Sequence, residues 1–379
     1  MSSQNMEEVP NGIFECFLVV GIEDKPDGSL QTVEKLRYPK GKLGLQQMKG
    51  GLETVHPFCF PKLRYERRRC HLSPYSYVFA LTLEDGQYYY GYCRKMLPPG
   101  KPIRYDVDRR YPEVLCLISK STELDMFERI LDCFQGRRVV DPNSCMGFLQ
   151  ALGQVSPLPN PGASFRFRSS SLGVLCEYKF SRPQLGEKGH ADLVFKYLTP
   201  KMLRYVVGAV LSEQRIIFIS KSESILSNVI HGVLSLIYPF VWQHMLVPLM
   251  PEHLLEYLAA PSPYLVGLLR VYDGERLNSL HLGVVIIADL DKNELRTSET
   301  VLPFGGVTTD SRMKYAGLSR GEEGLSSAFS MDLVNLYNKS SNHRVDEKEL
   351  KTLFLSVFVL LFGFVSRFVD HSKGTINKE

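Results

Sequence analysis

The clearest hydrophobic pattern in the chain is a helix followed by a short strand. Apolar residues recur at helical spacing across 224–237, which predicts an amphipathic helix. Pro239 ends that pattern, because proline lacks a backbone N–H and confines the preceding residue to extended geometry. A short apolar strand follows at 245–247, and Pro248 and Pro251 close it. The pattern therefore predicts a helix, a corner and a strand.

The corner between these two elements holds Trp242, the single tryptophan of the chain, followed by Gln243 and His244. A buried tryptophan needs a partner for its N–H, and a histidine needs polar neighbours. We therefore expect an ordered corner. Judged from these residues alone, its role is architectural rather than catalytic.

The first third of the chain predicts an antiparallel sheet with helices. Apolar strands are predicted at 14–22 and 114–119, and a hairpin at 75–83 and 88–94. An amphipathic helix is predicted at 123–134. Three tyrosines of the second hairpin strand share one face, and cross-strand packing explains them better than base stacking. No interleaved Arg/Lys pattern accompanies them, so we expect no nucleic-acid partner.

After residues 157–162, a linker with three prolines, helices and strands alternate. Thr199 is predicted to cap a helix that runs to 211. The strand at 215–220 shows no alternation of polar and apolar residues, so both of its faces should be covered. Ser220 and Glu223 have the spacing of a capping box for the next helix. A strand–helix–strand unit of this kind predicts a parallel crossover.

The C-terminal third predicts two more core strands, at 264–268 and 284–287. Residues 289–330 are polar and glycine-rich, which favours a mobile surface segment. A final helix is predicted near Asp346. It contains the uncharged run 352–366, which is shorter than the roughly 20 residues of a membrane helix. A buried helix is favoured over a tail anchor, and the fold class is mixed α/β.

Composition changes this picture little. The chain has 379 residues, 44% of them hydrophobic, and a formal net charge of +4. Residues 61–110 hold eleven Lys/Arg against five Asp/Glu. Such a basic region would suit an anionic membrane surface or an acidic partner. Solvated loop charges are the favoured alternative.

The eight cysteines lie between Cys16 and Cys176 and include no CxxC pair. Cys59 and Cys70 lack the doublet spacing of a zinc site, and we predict no metal site. The first ten residues are polar and acidic and have no signal-peptide pattern. These features predict a protein of a reducing, cytoplasmic compartment.

No catalytic constellation stands out. Residues 317–321 match the GxSxG motif, but no apolar strand precedes them, so the match is accidental. The chain has no Walker A loop, no GxGxxG after a strand and no HExxH. We therefore predict no catalytic residue and no cofactor, and we expect function through binding surfaces.

An ordered set of segments across residues 12–290 resembles the DENN domain, most closely the DENN-domain-containing-2 class. The upstream matches are 14–20 (FECFLVV), 58–61 (FCFP), 78–95 and 111–120, and the central ones are 211–220 (LSEQRIIFIS), 238–251 (YPFVWQHMLVPLMP) and 261–267 (PSPYLVG). The resemblance implies a longin-like upstream part at 12–156 and a central α/β part at 163–290. It further implies a polar segment with a partial, abbreviated downstream part at 291–379.

The DENN resemblance also implies a function, guanine-nucleotide exchange on a Rab-family GTPase bound across the cleft between lobes. The residues that it nominates for GTPase contact are Glu213, Gln214, Arg215, Gln243 and His244. The structural signature residues are Tyr238, Pro239, Trp242, Pro248 and Pro251. The protein would be cytoplasmic and peripheral on trafficking membranes, with region 61–110 as the membrane contact.

A non-exchanging scaffold or decoy that binds GTPases or membranes is the alternative. Two departures from the family pattern favour it: Gln214 where the family usually has arginine, and the abbreviated downstream part. If missing helices normally cover the final helix, Phe354, Phe358 and Phe362 should form an exposed apolar stripe.

Overall fold

A computed structural model describes most of the chain. The described residues are 13–39, 54–82, 88–100, 109–153, 164–168, 175–179, 190–274, 277, 279–280, 282–297, 325–340, 344–363, 369–370 and 375–376. The predicted linker at 157–162 and the GxSxG match at 317–321 lie outside these residues, as does the turn of the predicted hairpin. The domain boundaries therefore stay predictions.

The N-terminal lobe is built on an antiparallel five-stranded sheet, as the sequence predicts. In spatial order the strands are β2, β1, β5, β4 and β3. Their bounds are β1 Cys16–Asp24, β2 Leu30–Tyr38, β3 Tyr75–Thr82, β4 Tyr88–Met96 and β5 Glu113–Ser119. The hairpin prediction is confirmed, because β3 and β4 pair in register from Tyr75 opposite Lys95 to Thr82 opposite Tyr88.

Each face of this sheet has its own apolar core, because successive side chains point to opposite faces. The one-turn helix α1, His56–Cys59, packs on one face. Helices α2, Leu124–Val140, and α3, Cys145–Gly153, cover the other. On that second face Tyr92 stacks on Phe127, with ring centroids 4.3 Å apart.

A two-stranded ribbon, β6 Ser164–Arg168 with β7 Leu175–Lys179, precedes the second lobe. The second sheet has the spatial order β12, β11, β8, β10, β9. Its strands are β8 Arg215–Ser220, β9 Met245–Val247, β10 Tyr264–Leu269, β11 Ile286–Asp289 and β12 Glu294–Thr297. The first four are parallel and β12 is antiparallel, so the prediction of a largely parallel sheet is confirmed.

The described part of the second lobe contains five α-helices. They are α4 Val194–Tyr197, α5 Pro200–Leu211, α6 Glu223–Leu236, α7 Leu325–Lys339 and α8 Glu347–Phe362. Thr199 accepts a hydrogen bond from the Met202 amide at 3.3 Å, which confirms the predicted cap of α5. Asp346 likewise caps α8 through the amides of Lys348 and Glu349. A second ribbon, β13 Val369–Asp370 with β14 Thr375–Ile376, lies near the C-terminus.

The capping-box prediction for α6 is wrong. The helix is capped by Ser222, whose Oγ accepts from the Ile225 amide, and not by Ser220. The hydroxyl of Ser220 instead donates to Asp291 at 2.8 Å, because Ser220 is still the last residue of β8. The polar segment predicted from 289 is also too long at its start, since β12 occupies residues 294–297.

The predicted exposed stripe on α8 is only partly present. Phe354 and Phe358 are buried, at 1% and 3% exposure, whereas Phe362 is 48% exposed. Phe329 of α7 covers Phe354, and Phe240 from the corner after α6 packs edge-on against both Phe358 and Phe362. Elements of the same lobe therefore cover Phe354 and Phe358, whereas Val359, Leu360 and Phe362 at the end of the helix stay exposed. Among the described residues, none of the helices has the length and apolar character needed to cross a membrane.

Candidate functional site

The two lobes meet where the edge strand β3 of the first sheet lies beside α6 and the edge strand β9 of the second. The unpaired edge of β3 is used in this contact, since the Val78 amide donates to the buried Ser227 hydroxyl of α6 at 2.7 Å. An edge strand otherwise presents open N–H and C=O groups. We call this contact of β3 with α6 and β9 the joint. It satisfies a backbone amide of β3 as well as burying apolar side chains.

A buried ion cluster holds the joint on one side. Glu223, the first residue of α6, lies 3.0 Å from Lys62 and 3.5 Å from Lys95. Lys95 also pairs with the buried Glu66, and Tyr75 donates to Glu223 at 3.3 Å. Burial raises the pKa of Glu223, but the two lysines outweigh it, so the net pKa is lowered.

The joint has further contacts beyond this cluster. Tyr272, which follows β10, donates its hydroxyl to the carbonyl oxygen of Pro61 at 2.7 Å. Its ring meets that of Tyr65 edge-on at a centroid distance of 6.2 Å. Arg64 pairs with Glu252 at 3.0 Å in a more exposed position. The segment after α1 is thus attached to the second lobe at several points.

A cavity of about 370 Å³ lies between the lobes on the other side of the joint. Its lining is mostly aromatic and aliphatic and comes from both lobes, including Val78, Tyr88, Tyr90, Tyr92, His231, Leu234, Ile237, Tyr238, Trp242 and Leu246. Burial lowers the pKa of His231 to about 4, so its ring is neutral at pH 7. This cavity lies directly beneath the corner that follows α6.

The corner is ordered by contacts within itself and with the first lobe. Trp242 is 7% exposed, and its Nε1 donates to the carbonyl oxygen of Met245 at 3.2 Å. Its ring meets the His244 ring edge-on at 5.1 Å. Tyr88 of β4 donates its hydroxyl to the backbone carbonyl of His244 at 3.1 Å. The corner therefore bridges both lobes.

The turn between α5 and β8 brings a second candidate segment to the same place. Glu213 adopts a φ of 51°, a left-handed conformation that closes the helix end. Its carboxylate lies 3.1 Å from Nε2 of His244. The Glu213 side chain is 64% exposed and that of His244 is 28% exposed. These two nominated residues therefore form one polar pair, in which Glu213 is exposed and the Nε2 atom of His244 is buried.

The other nominated residues divide into one exposed and two supporting side chains. Gln243 is exposed and donates to the carbonyl of Val241, two residues before it. Gln214 donates to the carbonyl of Ser212 within its own turn. Arg215 donates to two backbone carbonyls from loops before β10 and β11, those of Ala260 and Val284. The last two residues thus hold the turn in place.

The same corner carries three exposed apolar side chains. Tyr238, Phe240 and Val241 are 46%, 41% and 71% exposed. We call these three residues, together with Glu213, Gln243 and His244, the corner surface. It combines apolar area with a few polar groups, as the centre of a protein–protein interface does.

The remaining signature residues lie in the second lobe. The carbonyl oxygen of Pro248 would lie 2.0 Å from a Cβ added at Gly267, so only glycine allows this approach to β10. The Met250 amide donates to the Gly267 carbonyl at 2.8 Å. Pro251 occupies the N-cap position of a 3-10 helix, Glu252–Ala259. Tyr238 and Pro239 are joined by a cis peptide bond.

The basic region 61–110 is largely paired within its described part. The pairs are Lys62 with Glu223, Arg64 with Glu252, Arg68 with Asp24, Arg94 with Asp132 and Lys95 with Glu66. Sequence reasoning counted these residues as surface charge because their partners lie far away in the chain. The ion cluster at the joint was missed for the same reason.

The carboxyl ends of the parallel strands, where α/β sheets commonly bind ligands, carry a closed ion-pair network. Arg270 lies after β10 and contacts Asp289 and Asp291, at 2.7 Å for Asp291. Ser220 of β8 donates to Asp291. Hydrogen bonding to Arg270 and Lys292 outweighs burial and lowers the pKa of Asp289. The network joins the ends of three strands.

These features define a two-lobed α/β protein with an accessible surface at the corner where its lobes meet. The DENN (AEX-3) domain model matches residues 110–293, and the uDENN domain model matches residues 35–96. The chain therefore belongs to the DENN domain family, as its ordered motifs predicted.

Curated relatives of the chain include DENN domain-containing proteins 2C, 2B and 2D. Protein 2C of Mus musculus is 32% identical over 301 residues, covering 77% of this chain and 32% of the relative. Protein 2B of Mus musculus is 29% identical over 372 residues, covering 95% of this chain and 31% of the relative. Protein 2D of Homo sapiens is 28% identical over 274 residues, covering 70% of this chain and 57% of the relative. The chain thus spans about a third of the length of the 2C and 2B relatives.

Proposed function

We propose that this protein is a guanine-nucleotide exchange factor for a Rab-family GTPase. Membership of the DENN domain family carries this proposal, since the resemblance to that family implies exchange on Rab proteins. The corner surface supports it with accessible apolar and polar groups beside the interlobe cavity. Glu213, Gln243 and His244 are the residues that we expect to contact the GTPase. Gln214 and Arg215 support the turn that presents Glu213.

Exchange of this kind requires binding and no covalent step. The factor binds the open or nucleotide-free GTPase more tightly than the GDP-bound form and so shifts the population toward nucleotide release. Accelerating release about 1000-fold requires roughly 4 kcal/mol of such differential binding. A contact of standard size, ~800 Å² on each partner, supplies that readily.

The localisation follows from the same proposal. A factor acting on Rab proteins works in the cytoplasm, at the surface of trafficking membranes. Because the described cations of region 61–110 are mostly paired with acids, the GTPase rather than this region is expected to supply most of the membrane attachment.

The test is release of fluorescent GDP from a panel of Rab proteins, with the full 379-residue chain at increasing concentration. We expect selective acceleration for one or a few of them. Nanomolar binding without acceleration would establish the non-exchanging scaffold instead. If the chain neither binds nor accelerates any Rab protein of a complete panel, both the exchange factor and the scaffold are overturned.

A matched pair of variants locates the contact. Val241→Glu changes a residue of the corner surface that is 71% exposed, and Val140→Glu changes an equally exposed valine, also 71%, at the end of α2. Because both side chains are solvated, both variants should fold normally. We expect Val241→Glu to abolish acceleration and Val140→Glu to retain it. If both variants lose the acceleration equally, or if neither loses it, the corner surface is not the contact with the GTPase.

A further inference from the structure

Three cysteines from distant parts of the chain meet in the core of the first lobe. The Sγ atoms of Cys59, Cys93 and Cys116 all lie within 4.8 Å of one another. Each of the three residues is completely buried, at 0% exposure. Because 34 and 23 residues separate them in sequence, no spacing motif reveals the cluster.

The backbone fixes each of the three thiols in its position. Cys93 of β4 lies directly opposite Cys116 of β5 in the antiparallel register, so their side chains are neighbours on one face. Cys59 is the last residue of α1, which packs on that face. Its carbonyl accepts a hydrogen bond from the buried hydroxyl of Tyr77 at 2.5 Å. The three sulfurs are therefore presented by three elements of one core.

The ligand set selects the metal. Thiolates are soft ligands, suited to Cu(I), zinc and iron–sulfur clusters. Structural zinc takes four ligands. Among the described residues, no histidine, aspartate or glutamate joins the three cysteines at the same spacing. We propose that Cys59, Cys93 and Cys116 form a three-coordinate thiolate site for Cu(I).

A route for the ion leads past the helix that carries Cys59. A cavity of about 600 Å³ is lined by Pro57, Phe60 and Pro61, which flank that cysteine in the chain, and by Thr32 of β2. Because helix α1 is a single turn of four residues, its displacement would admit the ion from this cavity.

The decisive experiment is an anaerobic titration of the full chain with Cu(I) against a colorimetric Cu(I) chelator. Cys70, which is exposed, Cys133, which is half-buried, and Cys176 are first replaced by serine to remove competing thiols. We expect one tightly bound Cu(I) per chain. X-ray absorption should then show three sulfur neighbours and no nitrogen. Chelator-limited binding with no defined stoichiometry, or a site with nitrogen ligands, would overturn the proposal.

A matched cysteine controls for burial. Cys16 lies on the same face of the same sheet with 0% exposure, and burial raises the pKa of its thiol to about 12. Cys59→Ala should weaken Cu(I) binding at least about 100-fold, since even losing an outer-shell partner of a metal ligand costs 10–100-fold. Cys16→Ala should leave binding unchanged. Equal affinity in the two folded variants would refute the site, and the absorption spectrum of the unmutated cluster tests it even if Cys59→Ala does not fold.

Discussion

The Nζ atom of Lys62 lies 3.0 Å from a carboxylate oxygen of Glu223, and this pair joins the two lobes. The side chain of Glu223 is 3% exposed and that of Lys62 is 18% exposed. Lys95 lies on the same carboxylate at 3.5 Å. One acidic residue of α6 therefore contacts two cations of the other lobe, and Glu66 supplies the second negative charge of the cluster.

Glu223→Gln should destabilise the protein by about 3–5 kcal/mol, because breaking a buried ion pair leaves charge without compensation. The measurement is the free energy of unfolding from urea denaturation at pH 7. Glu252→Gln is the matched control, since Glu252 also crosses the joint but pairs with Arg64, whose side chain is 62% exposed. We expect that change to cost at most about 1 kcal/mol. If both substitutions cost the same, the buried cluster has no special role in the joint.

The stability of the protein should depend on pH through His231. Burial lowers the pKa of His231 to about 4, whereas an unfolded histidine has a pKa near 6.5. Between these values the unfolded chain binds a proton that the folded chain does not. The contribution of neutral His231 to the free energy of unfolding is therefore complete above pH 6.5, and it is lost progressively as the pH falls toward 4.

His231→Gln removes this titration while keeping a polar side chain. The stability of the unmutated protein should fall relative to the variant by up to about 2 kcal/mol between pH 6.5 and pH 5. Denaturation of both proteins across that range measures the difference. His71→Gln, at an exposed position, controls for replacing a histidine. Parallel pH profiles for His231→Gln and the unmutated protein would contradict the assignment.

The sequence predicts local structure well and the joint poorly. The cap at Thr199 and the buried strand at 215–220 were predictable because their signals lie within one element. The role of Glu223 was not, since the pattern assigned it to a capping box and its partners lie more than a hundred residues away. The thiol cluster was hidden in the same way. Long-range partners have no local signal when no spacing motif accompanies them.

The candidate contact residues show the same division. The resemblance nominated Glu213 and His244, and the structure brings their side chains within 3.1 Å. The resemblance does not distinguish these two residues from Arg215, whose side chain donates to two backbone carbonyls. Nor did the pattern reveal that Phe240 would cover Phe358 of α8. This contact joins segments that are more than a hundred residues apart, so only the folded structure reveals it.

Trp242→Ala should mainly reduce stability, by about 3–5 kcal/mol, because the ring is 7% exposed and packs in the core of the second lobe. Thermal unfolding measures this directly. If the variant accelerates GDP release less than the unmutated protein, the acceleration should be recovered at temperatures where the variant is fully folded. A variant with unchanged thermal stability and no exchange activity would instead make Trp242 a contact residue.

Gly267→Ala should be strongly destabilising, because its Cβ would lie 2.0 Å from the carbonyl oxygen of Pro248, a backbone atom with no rotamer to change. The strand β10 and the segment after β9 would have to move apart and lose the hydrogen bond between Met250 and Gly267. Gly136→Ala is the matched control, since Gly136 lies within α2 and a Cβ there meets nothing within 4 Å. Alanine should stabilise that helix by about 0.5–1 kcal/mol. Opposite signs of the two changes in unfolding free energy are expected, and a tolerated Gly267→Ala would mean that the approach of Pro248 to β10 is not tight.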